Sequence, residues 1–168
     1  FLKGEDTGWN DQSRVQLKVR YVGDKFIVRG EDEWPIARTQ WTKAYLDPDN
    51  LCLTEILPTE AGTISYNGLG DGLTFFLPPW REEVEITGPM AAKLFVSSAT
   101  EDADLFLVVR LFSPDMKEIV FQGTLDPHTP IANGWLRASH RKLDPAQSSE
   151  WQPYHTHDEK QPLTPGEI

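Results

Sequence analysis

The sequence predicts an all-β protein, a sandwich or barrel of short strands, and three observations carry that prediction. Apolar residues recur at period two in several runs. Clusters of Gly, Pro, Asn and Asp separate the runs, and 13 Pro and 12 Gly in 168 residues leave little room for helices. No segment beyond the first few residues carries a strong helical period of apolar side chains.

The elements follow in chain order. Val15, Leu17, Val19 and Tyr21 alternate with Gln16, Lys18 and Arg20, the pattern of a half-buried strand whose side chains point to opposite faces in turn. Val84 and Ile86 alternate with Glu83, Glu85 and Thr87, and Met90, Ala92, Leu94 and Val96 with Ala91 and Lys93. Leu105 to Phe112 is apolar at nearly every position, as expected of a central strand covered on both faces. Ile119 to Phe121 continues the series after a turn at Ser113-Pro114-Asp115. Further turns are expected at Gly23-Asp24, Asp47-Pro48-Asp49-Asn50, Asn67-Gly68, Gly88-Pro89 and Asp126-Pro127. From Leu143 onward the apolar period is lost, which predicts a long surface loop.

Composition narrows the function classes. The net charge is −10, from 16 Lys and Arg against 26 Asp and Glu. Binding to phosphate chains needs clustered cations, so nucleic acid and anionic membrane are not expected partners. The longest strongly apolar stretch, Leu105 to Phe112, contains Arg110 and falls well short of the roughly 20 residues of a membrane-spanning helix. Cys52 is the single cysteine. It permits no intrachain disulfide, leans toward a reducing, cytoplasmic compartment, and reads as a small buried hydrophobe. The chain opens at Phe1 without a Met, as a fragment or processed product would.

Four constellations are candidates for chemistry. For nucleophilic catalysis, Gly-x-Ser-x-Gly is missing, and Ser139 and His140 are strand-type neighbours whose side chains diverge. No catalytic residue is therefore assigned. His155, His157 and Asp158 place two imidazoles and a carboxylate close together, the beginning of a metal site. A third histidine is not expected there, since His128 and His140 lie in separate segments. The ordinary reading is a polar loop, with no metal or cofactor. Asp102 with Asp104, and Asp47 with Asp49 and Asn50, are acid-rich, but the spacing of a calcium loop is missing, so turn chemistry accounts for them. Six Trp suit either packing or a sugar-binding face.

An ordered set of segments resembles one family. Val84-Glu85-Ile86-Thr87-Gly88-Pro89-Met90-Ala91-Ala92-Lys93-Leu94-Phe95-Val96-Ser97-Ser98 is similar to a stretch of the C-terminal domain of cocaine-esterase-like hydrolases. That group includes X-Pro dipeptidyl peptidases, α-amino-acid ester hydrolases and related acylases. Thr100 to Leu111, then Gly134-Trp135-Leu136-Arg137-Ala138-Ser139-His140-Arg141, then Pro153-Tyr154-His155 continue the likeness.

The resemblance implies a jelly-roll, galactose-binding-like β-sandwich spanning 15–168, with residues 1–14 a linker or helix end leaving an α/β-hydrolase domain. It implies a non-catalytic accessory domain of a serine esterase or acyl peptidase, packed on the hydrolase and helical cap domains of the same polypeptide. The catalytic Ser, Asp and His of the family precede the residues seen here, so none is carried over. Tyr66, with Ile64 and Ser65, occupies the position from which a contribution to the substrate-pocket wall is expected. Pro165-Gly166-Glu167-Ile168 looks like a turn feeding a further strand, so the sandwich is expected to lack its last strands. The alternatives are a freestanding carbohydrate-binding jelly roll and a homo-oligomerising structural module.

Overall fold

The computed structural model describes residues 3–23 and 25–168. Phe1, Leu2 and Asp24 lie outside them, and with them the start of the 1–14 linker and half of the Gly23-Asp24 turn. The described chain is all-β. Its only helical pieces are two short 3-10 turns, Trp9–Asp11 and Ala138–His140, and every ladder between its eight strands is antiparallel. The residues divide into two compact units, one of the chain up to Ala37 with Thr87–Ile168, the other Arg38–Ile86.

In the first unit, β1 (Val15–Arg20) pairs with β2 (Phe26–Glu31), from Val15 opposite Glu31 to Arg20 opposite Phe26. Val15, Leu17 and Val19 are half-buried while Gln16, Lys18 and Arg20 are exposed, so the alternation in the sequence is the alternation of the faces. β5 (Asp104–Val109) pairs with β8 (Ala132–Arg137) across some thirty residues of chain, with Phe106 opposite Trp135. Between them, β6 (Leu111–Phe112) and β7 (Glu118–Ile119) form a hairpin. The expected Ser113-Pro114-Asp115 turn closes it, with the Ser113 amide donating to the Lys117 carbonyl at 2.9 Å.

The second unit holds β3 (Tyr45–Asp47) and β4 (Cys52–Thr54). The Asp47 carboxylate accepts from the Asp49 and Asn50 amides at 3.0 and 3.2 Å, as aspartate does in such turns. Phe76 adds a parallel bridge to Cys52, with the Leu53 amide donating to its carbonyl at 2.8 Å.

Two strand expectations need revision. Leu105 to Phe112 is not one covered central strand. It breaks at Arg110 into β5 and β6, and Arg110 turns out to hold Glu118 through two hydrogen bonds of 2.9 and 2.5 Å. Among the described residues β5 pairs with β8 alone, and Phe106 is 74% exposed. A strand becomes central only with neighbours on both edges. The Val84–Thr87 and Met90–Val96 runs alternate correctly yet join no ladder among the described residues. Alternation reports a face and does not supply the partner edge that makes it a strand.

The aperiodic segment after Leu143 is irregular, as expected, but tied down. Amides of Gln161, Leu163 and Gly166 donate to the carbonyls of Ser139, Glu101 and Ser98 at 2.7, 2.7 and 2.8 Å. Leu143 and His155 form an antiparallel bridge.

Candidate functional site

The chemistry-bearing side chains of the first unit gather at the end of β8. That strand presents Trp135 and Arg137 on one face, two residues apart. The 3-10 turn Ala138–His140 follows at once and turns His140 beside them. The Leu143–His155 bridge then returns the chain, so that His155 and His157 complete a cleft with Trp135, Leu136, Arg137 and His140.

One buried polar contact fixes this corner. Ser139 is only 1% exposed. Its amide donates to Asp102 Oδ1 at 2.9 Å and its hydroxyl to Asp102 Oδ2 at 2.6 Å, across 37 residues. The Ser139 hydroxyl holds the Asp102 carboxyl below its ordinary range, and the Ser139 and Ala103 amides add to it. With its hydroxyl committed and its surface covered, Ser139 is not presented to a substrate. Asp104 and Arg137 form a two-pronged pair, 2.7 and 2.9 Å, across β5 and β8. The acids that read as turn residues near 102–104 therefore act as long-range ties, whereas Asp47 does serve its turn.

The predicted histidine cluster is rearranged. His155 and His157 share the cleft, with ring centres 6.1 Å apart. Asp158 is instead engaged by the Thr156 hydroxyl and by Lys142 Nζ at 3.0 Å. In its place stands His140, which sequence separation had set aside: its Nδ1 is 3.0 Å from His157 Nδ1 and the ring centres are 5.2 Å apart. His155 Nδ1 is buried with no hydrogen-bond partner among the described residues. No group of three or more His, Cys, Asp or Glu among the described residues is placed to hold a metal ion as the side chains stand.

Asp158 carries a testable pH dependence. The Thr156 hydroxyl, then Lys142, lower its carboxyl from 3.8 to about 2. A carboxyl depressed in the folded state stabilises fully above its unfolded pKa of 3.8 and loses that contribution as pH falls toward about 2. The Asp158→Asn chain should accordingly show a shallower fall of urea midpoint over that acid range than the parent. Equal slopes would show that the tie does not contribute.

Ile64, Ser65 and Tyr66 lie in the second unit, in a stretch without ladder pairing, and all three are exposed, Tyr66 at 53%. Cys52, in the same unit, is half-buried 3.7 Å from Asp47 Oδ2. Burial, and then the Asp47 charge, push its thiol up, which disfavours the nucleophilic thiolate. Among the described residues no helix is long and apolar enough to cross a membrane.

These features define an all-β chain whose buried serine and cross-strand acids are spent on its own architecture. The model of the X-Pro dipeptidyl-peptidase C-terminal non-catalytic domain matches residues 7–168, and the chain belongs to that family. A crystal structure of a CocE/NonD family hydrolase from Staphylococcus aureus is similar at TM-score 0.81 and 24% identity, over 100% of this chain and 31% of that one. A second crystal structure described as a CocE/NonD family hydrolase from the same organism gives 0.78 and 24%, over 98% and 30%. The likeness establishes the fold, and this chain spans under a third of the length of those solved chains. No curated protein matches the chain.

Proposed function

We propose that the chain is the C-terminal accessory domain of an α/β-hydrolase-type serine esterase or acyl peptidase. It packs on the catalytic and cap domains of the same polypeptide and helps wall the substrate pocket, with Tyr66 the foremost contact and Ile64 and Ser65 beside it. The observation that carries this reading is the family match over residues 7–168 in a chain under a third the length of the solved hydrolases it resembles. The exposed apolar side chains of β5 and β8, Phe106 and Trp135 foremost, supply surface that a neighbouring domain would cover. The hydrolase domain would supply the serine, its histidine base and the oxyanion donors.

The direct test compares the purified chain with the whole polypeptide on a simple activated ester. The chain alone is expected to give no turnover above buffer, and turnover comparable to the whole polypeptide would overturn the proposal. In the whole polypeptide, Tyr66→Ala should alter the kcat/KM ratio between small and bulky acyl groups by about tenfold. An unchanged ratio removes Tyr66 from the pocket wall.

A further inference from the structure

We propose that the cleft beside β8 binds a divalent transition-metal ion through His140 Nδ1 and His157 Nδ1, with His155 the neighbouring third imidazole. The proposal concerns this chain's own residues and stands apart from the reading of its parent enzyme.

The spacing of the two nitrogens is the central observation. They lie 3.0 Å apart. Metal–imidazole bonds of about 2.05 Å place two cis nitrogens about 2.9 Å apart at a right angle and about 3.3 Å apart at the tetrahedral angle. The observed separation falls within that span, nearer the right angle preferred by nickel and copper. As a direct hydrogen bond, the same contact requires one Nδ1–H to donate to a bare Nδ1 on the other ring. An ion that takes both nitrogens needs the donor ring in its other neutral tautomer, so its proton moves by way of solvent from Nδ1 to Nε2 and both Nδ1 lone pairs are left for the ion.

The surroundings favour a cation. Arg137, which lines the cleft, is tied to Asp104 by two hydrogen bonds, and Lys142 to Asp158 and Glu159, so the nearby positive charges are already neutralised. The chain's net charge is −10. His155 Nδ1, buried and without a partner among the described residues, is an acceptor or donor with nothing to engage. With its ring turned toward the other two, His155 would offer the ion a third nitrogen, with water completing the coordination.

Trp135 in the same cleft provides the readout, because bound nickel or copper quenches indole fluorescence. Nickel chloride, and zinc chloride in parallel, are titrated into the full chain without a polyhistidine tag, by calorimetry and fluorescence at neutral pH. One equivalent is expected to bind, with the indole fluorescence partly quenched by nickel. His140→Ala and His157→Gln should each weaken binding at least tenfold, His155→Gln should weaken it less, and His128→Ala, in the separate Asp126–Thr129 turn, should leave it unchanged. Circular dichroism identifies any variant that fails to fold, and the retained polarity of His157→Gln guards against that outcome. Absence of saturable binding in the parent chain, or binding that survives in folded His140→Ala and His157→Gln alike, overturns the proposal.

Discussion

Ser139→Ala is expected to destabilise the chain by about 1.5–3 kcal/mol, the range for losing a hydrogen bond to a charged group. The alanine keeps the backbone amide bond to Asp102 but removes the hydroxyl that meets the other carboxylate oxygen at 2.6 Å. Ser139 is almost wholly enclosed, so water cannot take the vacated position without moving its neighbours. The effect should spread beyond one bond, because Ser139 sits between two ladders of contacts. The Ala138 amide continues the β5–β8 ladder to the Ala103 carbonyl, and the Ser139 carbonyl receives the Gln161 amide. A urea titration of Ser139→Ala, Asp102→Asn and the double variant measures this. Strong non-additivity is expected, with the double variant little worse than the worse single. Full additivity would mean that the two groups do not act as a pair.

Ile36→Ala should cost more, about 2–5 kcal/mol, through lost burial and the cavity left behind. Ile36 is 6% exposed, and with Ala138 it makes up the buried apolar set among the described residues. A chain with so few enclosed side chains has little to share the loss. Leu69→Ala, at a side chain left almost entirely in solvent, is the control and should stay within about 0.5 kcal/mol of the parent. Equal midpoints for the two variants would show that the stabilising contacts lie elsewhere.

What the sequence made legible was local. β1 was readable because its alternation and its burial are the same fact. The turns at Asp47 and Ser113 were readable because side chains two to four residues away satisfy the backbone there. Non-local pairing was less accessible. Met90 to Val96 alternates as well as β1 does, yet an alternating run carries no record of whether another edge lies beside it. His140 escaped for a related reason. It is 17 residues from His157, and the two meet through the Leu143–His155 bridge in a stretch with no apolar period. Backbone bonds between irregular segments leave no side-chain pattern behind. A usable signal did exist on β8, where the two-residue step puts Trp135 and Arg137 on one face immediately before His140. Asp102 read as a turn acid, and its partner 37 residues on left no mark in the sequence.

The Leu143–His155 bridge has a practical corollary. Its two ends are held by the Asp144 amide on the Tyr154 carbonyl at 2.9 Å and the Thr156 amide on the Lys142 carbonyl at 3.1 Å. The residues between them form a closed ring whose mouth does not depend on its circumference. Lengthening such a ring costs only about 0.6 kcal/mol per doubling. A label or a small inserted peptide at Ser149–Glu150 would thus ride outside the clasp, leaving the histidines to which it is joined in place.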